Sequence, residues 1–476
     1  MRSLATIGVV VLAALAPALI AADWSNSGGN AQRNGQTTEI GPNAQDLLWS
    51  GAATSIIAWQ PATEGNRVFM VRQTGFPPGG EPNGSPVFAY DLDTGAQLWR
   101  ADIPFNSGDW TTWLAGVKNG RVYASRSGNG ASVAAKMYCL DAATGGVLWT
   151  SAETTRGGMY DGVVFAPDGD PIVADFYEIT RLNAEDGATV WRTSRTASVS
   201  GTCGAASFGD AVYVVDASPG GNRIERYSLA TGQFQYESDV MPGFTIQNTP
   251  MVGPDGTIYL NRTQNNVNVD FFYALTDTGS AITIKWSIPS RWTTSSEFAV
   301  GPDGSVYMLK PGNMLARLDP ADGATLNEYG PIPTDAGPNV TPRMAVDAAG
   351  KLYFSNGCFQ NGVLFSFDAD LTLRWSEPLP NSNIGTPSIG QDGTLIIAGT
   401  GTNVKAYRSP GGPSCVGDLD GDGQRNQSDL GILLAAFGAC PGDPNYNAAA
   451  GELAGDPCVT QADLGVLLSV FGAPCD

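Results

Sequence analysis

Short runs in which apolar and polar residues alternate, each opened by a glycine-containing turn, recur along most of this chain. They read EGNRVFMV, KNGRVYAS, PDGDPIVA, FGDAVYVV, PDGTIYLN, PDGSVYML, AAGKLYFS and QDGTLIIA, beginning at Glu64, Lys118, Pro167, Phe208, Pro254, Pro302, Ala348 and Gln391. A period of two predicts strands, and Asp-Gly or Asn-Gly between such runs predicts hairpins. A second phrase follows in each unit: DLDTGAQLW to Trp99, DAATGGVLW to Trp149, NAEDGATVW to Trp191, SLATGQFQY to Tyr236, TGSAITIKW to Trp286, PADGATLN to Asn327 and DADLTLRW to Trp375. Successive copies lie 41 to 50 residues apart, about the length of a four-stranded propeller blade. The first phrase occurs eight times and the second seven times after it. The missing eighth copy is NAQDLLW, ending at Trp49, so a strand near residues 46–50 is expected to complete the last blade and close the ring.

The pattern changes after RSPGGPSC, a short Pro/Gly/Ser linker. Two phrases with helical spacing follow, SDLGILLAAFG and ADLGVLLSVFG. They place Leu430, Leu433, Leu434 and Phe437, and again Leu464, Leu467, Leu468 and Phe471, at i, i+3, i+4 and i+7. Each helix is expected to pack this apolar face on the other. The chain is thus expected to divide into a signal peptide (1–22), an all-β eight-bladed propeller (23–408), a linker (409–415) and a small α-helical module (416–476). The signal is read from Arg2 followed by an apolar run and the small residues Ala21 and Ala22.

Composition narrows the function. The net charge of −20 over 476 residues disfavours nucleic acid as a partner. The absence of histidine removes Ser-His-Asp triads and His-based zinc sites. Of seven cysteines, four fall in the last 62 residues, and in an exported chain they imply two disulfides. Cys415 with Cys440 and Cys458 with Cys475, each pair bracketing one loop and helix, is preferred among three connectivities. Cys139, Cys203 and Cys358 are expected to be buried thiols.

The TG-x-x-x-W repeats and the opening DWSNSGGNAQRNG (23–35) resemble the PQQ-like, or quinoprotein-dehydrogenase-like, β-propeller family, typically eight-bladed. The resemblance implies an architecture more than an activity. Quinoprotein dehydrogenases hold PQQ with Ca²⁺ on the propeller axis, several beside a disulfide between adjacent cysteines. No adjacent cysteines occur here, and the family's catalytic residues do not map onto this chain, so PQQ is not expected. The once-per-blade tryptophans are expected to pack between blades. Aromatic and charged residues that break the repeat are the ligand-binding candidates: Trp59, Trp110, Trp113, Tyr160, Asp161, Arg291, Trp292 and Arg343. They are placed in the connections between blades, where a glycan, planar ligand or protein could dock.

The tail resembles a type I dockerin over Gly417 to Gly472. In DLDGDGQRNQSD (418–429) the resemblance implies a Ca²⁺ set of Asp418, Asp420, Asp422, the Gln424 carbonyl, Asn426 and Asp429. The second loop, ELAGDPCVTQAD (452–463), departs from the pattern. Ala454 supplies no ligand and Pro457 takes the place of the turn glycine, leaving Glu452, Asp456, Thr460 and Asp463 as a weaker set. Dockerins meet cohesins through positions corresponding to Gln427, Ser428, Gln461 and Ala462, so a cohesin-like or cell-surface partner is expected there.

The expected protein is a monomeric, secreted or periplasmic, non-catalytic binding or scaffold protein with no membrane span in its mature chain. The alternative is an extracellular enzyme of polysaccharide degradation, or a PQQ-dependent dehydrogenase.

Overall fold

The computed structural model describes residues 24–51, 57–58, 60–73, 86–104, 106, 109, 111–127, 133–156, 162–195, 204–243, 249–263, 270–291, 298–335, 344–381, 386–398, 404–409, 416–419, 425–440, 443, 445–447, 450, 453–454 and 458–472. These residues form eight antiparallel sheets arranged as propeller blades, each with a main path of four strands, followed by two short helices. Within blades 1 to 7 the four strands of the main path pair in chain order; in blade 1 Ala62–Glu64, and in blade 4 Met241–Pro242, pair beside that path. Blade 8 pairs Ser388–Ile389, Leu395–Ile397 and Val404–Tyr407, and takes its outermost strand, Leu47–Gly51, from the other end of the chain, with Trp49 opposite Ala406. The closure expected from NAQDLLW is therefore present. Among the described residues no helix is long and apolar enough to cross a membrane.

The repeated phrase is a joint between successive blades. In its first half, Asp91 Oδ1 accepts from the N–H groups of Asp93 and Thr94 and from the Thr94 hydroxyl, and Asp141 does the same with Ala143 and Thr144. That network closes the turn between a blade's third and fourth strands. The tryptophan ending one blade then lies over the glycine in the next blade's turn. Trp99 Nε1 donates to Ala142 O at 3.0 Å and Trp149 Nε1 to Ala184 O at 2.9 Å; Trp49, Trp191 and Trp286 make the same bond to Leu92, Leu229 and Pro320. A Cβ on Gly187 (φ +73°) would come within 2.5 Å of the Trp149 ring.

Exceptions within the chain support this account. Where blade 6 ends in Asn327, the blade 7 turn carries Leu371 at φ +66° in place of glycine. Where blade 4 ends in Tyr236, a Cβ on Gly279 would meet nothing within 4 Å. Trp375 precedes the one blade whose fourth strand arrives from elsewhere, and its Nε1 has no partner among the described residues. Gly187→Ala is therefore expected to cost about 2–5 kcal/mol from strain plus overpacking, while Gly279→Ala costs about 1–2 kcal/mol from its left-handed backbone alone. Denaturant unfolding of both variants checks the order; equal costs would refute the joint.

Tyr236 replaces the tryptophan joint with a polar one. Its hydroxyl donates to Asp277 Oδ1 at 2.6 Å, Tyr213 donates to Oδ2 at 2.7 Å, and Arg226 Nε lies 2.9 Å from Oδ2. Burial opposes ionisation, but these donors and the Gly279 N–H outweigh it and hold the Asp277 carboxyl below its usual range. A lowered folded pKa adds stability above the unfolded pKa and loses it as pH falls through the folded value. Stability should thus decline below about pH 4, and less steeply in Asp277→Asn, as acid-unfolding curves can show.

The polar segment Trp24–Gly41 ties the blades together at their inner ends. Trp24 O accepts from Thr63 N of blade 1, Ser25 O from Val117 N of blade 2, and Asn26 Nδ2 donates to Val163 O of blade 3. The series continues with Ala31 O and Ser207 N, Gln32 O and Val252 N, Asn34 O and Val300 N, and Gly35 O and Val346 N, reaching blades 4 to 7. Ile40 O then packs against Gly393 of blade 8. These contacts lie mostly where each first strand approaches its turn into the second, so the segment occupies one end of the ring. Arg33, 2% exposed, donates to Ala205 O, Ser27 O and Gly162 O. The opposite end carries the connections between blades.

Candidate functional site

Two of the eight candidates for that face are described. Trp113 is a correction: it lies inside the first strand of blade 2, Thr111–Lys118, opposite Ser125, and is 1% exposed in the core. That strand has eight residues, whereas the first strand of blade 3 has two, so a residue counted as loop falls within the sheet. Arg291 is where expected, just after the last strand of blade 5. Its N–H donates to Leu309 O and its Nη1 to Asn313 Oδ1 at 3.1 Å, bracing blade 6. Trp59, Trp110, Tyr160, Asp161, Trp292 and Arg343 lie outside the described residues.

The equivalent brace between blades 2 and 3 opens a cleft of about 450 Å³ lined by Thr154, Arg156, Asp175, Tyr177, Glu178 and Arg192, together with Ala134. Arg156 follows the last strand of blade 2 as Arg291 follows that of blade 5. Its N–H donates to Asp175 Oδ2 at 2.7 Å, and its guanidinium stands 5.7 Å from the Tyr177 ring centre. Asp175 Oδ1 accepts from Tyr177 N and Glu178 N, shaping the turn that carries the tyrosine. Arg195, 8% exposed, supports that turn from beneath: its N–H donates to Tyr177 O and its Nη1 to Asp175 O. Opposite, Arg192 pairs with Glu178 and donates to Thr154 O. Bonding to Glu178 outweighs partial burial and raises the Arg192 pKa.

The floor of the cleft is thus rigid and balanced, two guanidinium groups against two carboxylates. Tyr177 rises from it half exposed, at 50%, and its hydroxyl has no partner among the described residues. Two signals in the sequence point here: an arginine closing TTR, TSR and PSR at 156, 195 and 291, and a tyrosine in the DFYE turn of blade 3.

In the tail, α1 (Gln427–Ala436) and α2 (Gln461–Val470) begin with the same device. Asp429, fully buried, accepts from Leu419 N through Oδ1 and from Asn426 N through Oδ2, while Asn426 Oδ1 accepts from Ser428 N. Asp463, equally buried, accepts from Ala454 N and Thr460 N, while Thr460 Oγ1 accepts from Ala462 N. The last position of each loop is therefore a capping box. Gln427, Ser428, Gln461 and Ala462 are exposed on the first turns. Of the first loop's ligand set, Asp418, Asn426 and Asp429 are described, and Asp420, Asp422 and Gln424 lie outside; of the second, Thr460 and Asp463 are described, and Glu452 and Asp456 lie outside.

Two tail expectations are corrected. A disulfide among the described residues joins Cys440 to Cys458, not Cys415 to Cys440 or Cys458 to Cys475. Gly438 N donates to Val459 O and Val459 N to Ala439 O, so the exit of α1 runs beside the entry to α2 and brings these cysteines to 4.2 Å between Cα atoms. Cys415 and Cys475 lie outside the described residues. The helix faces are also narrower than expected: Leu433 and Leu467 are buried, but Leu434, Phe437, Leu468 and Phe471 are 41–53% exposed. Cys139 and Cys358 are buried free thiols, as expected; Cys203 lies outside the described residues.

Residues 83–324 match the family model described as outer membrane protein assembly factor BamB. The chain belongs to that PQQ-like propeller family. Among solved structures, the quinohemoprotein alcohol dehydrogenase from Comamonas testosteroni is similar with a TM-score of 0.58 at 14% identity, over 81% of this chain and 80% of that one. The computationally designed Ika8 protein gives 0.53 at 12%, over 76% and 99%. Identities this low speak for the fold alone. No curated protein matches the chain.

Proposed function

We propose that the protein is a secreted, non-catalytic binding or scaffold protein, with a propeller face that holds a ligand or another protein and a calcium-ordered dockerin-like module that attaches it. One observation carries the first part. Four described carboxylates at the inter-blade face are committed to structure: Asp175 and Asp335 each hold three backbone N–H groups, Glu178 holds Arg192, and Asp216 faces Arg195 across 3.7 Å. A face so arranged supports recognition better than proton transfer. The match to a family described as an assembly factor agrees with this reading.

For the tail, the first loop's all-oxygen donor set suits one Ca²⁺. Asp418, Asp420, Asp422, the Gln424 carbonyl, Asn426 and Asp429 would hold it. Calcium would neutralise these crowded carboxylates and order the loop. The second loop, lacking a ligand at Ala454 and the turn glycine at Pro457, would be a weaker site; Asp463 ties Ala454 N to Thr460 N, and the Cys440–Cys458 bond holds the loop's middle. The exposed residues Gln427, Ser428, Gln461 and Ala462 would then face a cohesin-like or cell-surface partner. EDTA washing of intact source cells should release the protein, and Asp422→Ala should appear in the medium without EDTA. Retention in both cases would contradict calcium-dependent attachment.

A further inference from the structure

We infer that the cleft between blades 2 and 3 binds one unit of a neutral oligosaccharide, an inference that rests on reading the propeller as a binding protein. The cleft has the three features such a ligand requires. Tyr177 is half exposed, with Arg156 over one face of its ring at 5.7 Å and its turn held from within by Asp175 and Arg195. The C–H face of a pyranose stacks on such a ring, because its weakly positive hydrogens meet the negative π surface.

Polar groups that can serve vicinal hydroxyls in pairs stand at the ring, one of them charged. Glu178 gives one carboxylate oxygen to Arg192 and keeps the other as an acceptor, and the Tyr177 hydroxyl is unoccupied among the described residues. Hydrogen bonds involving charged groups are stronger than neutral ones. The volume of about 450 Å³ holds a sugar unit and its neighbours' edges.

Charge selects among ligands. Arg156 and Arg192 against Asp175 and Glu178 leave the lining without net charge, and the chain as a whole carries −20. A phosphate or a uronic acid would gain nothing from the lining and would be repelled by the whole. A polyhydroxylated neutral ring uses both donors and acceptors without that penalty.

Isothermal titration of the full chain with hexamers of β-1,4-linked glucose, xylose and mannose tests this, with hexagalacturonate and inorganic phosphate as charged controls. At least one neutral hexamer should bind with a Kd of about 1 mM or tighter. Tyr177→Ala should weaken it about tenfold or more, Glu178→Gln should weaken it less, and Tyr177→Phe should leave it within about threefold. Because Tyr177 is half exposed, its variants should melt with the parent, which separates lost binding from lost folding. Absence of binding by every neutral hexamer, preference for galacturonate or phosphate, or unchanged binding in Tyr177→Ala would each overturn the inference. Sugar binding that survives Tyr177→Ala would leave the binding-protein reading standing and relocate its site, and cell release by EDTA tests the attachment reading independently.

Discussion

Arg33→Met is expected to destabilise the propeller by about 3–5 kcal/mol, because buried carbonyls left without a donor cost about 1–3 kcal/mol each. The three carbonyls, at Ala205, Gly162 and Ser27, belong to the entries of blades 4 and 3 and to the lacing segment itself. One planar guanidinium therefore fixes the segment to two blades at once. Arg33→Lys retains the charge but not the fork of donors, and should recover only part of the loss. Calorimetry of the three proteins gives the order wild type, lysine, methionine in falling stability. A methionine variant that unfolds with the wild type would mean that the segment is carried passively by the blades.

The second large effect is expected in the tail. Asp463→Ala removes the acceptor of two backbone N–H groups, at Ala454 and Thr460, and half of the box that starts α2. The cost is about 2–4 kcal/mol for the lost cap and the orphaned donors. A module of about 60 residues has little more than that to lose. Its helical circular dichroism should collapse while the propeller's transition stays in place. Asp463 is a cleaner test than Asp429, whose removal would also take a ligand of the stronger calcium set. An intact tail in Asp463→Ala would refute the structural role assigned to the box.

The blades were legible in the sequence because one physical problem is solved repeatedly. A tryptophan must lie over a turn without a side chain, so Trp and Gly recur at blade spacing, and where Asn327 replaces the ring, Leu371 replaces the glycine. Strand exchange at the seam was legible for the same reason, as a displaced copy of the phrase. Trp24–Gly41 has no periodicity to read: its backbone and its amide and guanidinium side chains bond to strands far away in the chain, and a segment that does not repeat gives no pattern to report such bonds. The cleft was hidden because its arginines recur among other braces and its tyrosine stands alone in a turn.

The tail misled in an instructive way. Spacing at i, i+3, i+4 and i+7 describes a broad apolar face, but two short helices meet along a narrow stripe, so Leu433 and Leu467 are covered and Leu434 and Leu468 are not. Bracketing suggested a disulfide around each loop. The backbone ladder between residues 438–439 and 459 instead places Cys440 beside Cys458.

The most direct measurement is scanning calorimetry of the protein with Ca²⁺, with EDTA, and with PQQ plus Ca²⁺. A binding protein with a self-laced propeller and a calcium-ordered tail predicts two transitions: EDTA lowers only the smaller, tail transition, and PQQ adds nothing beyond calcium. A propeller transition that rises with PQQ, or a tail transition insensitive to EDTA, would contradict it.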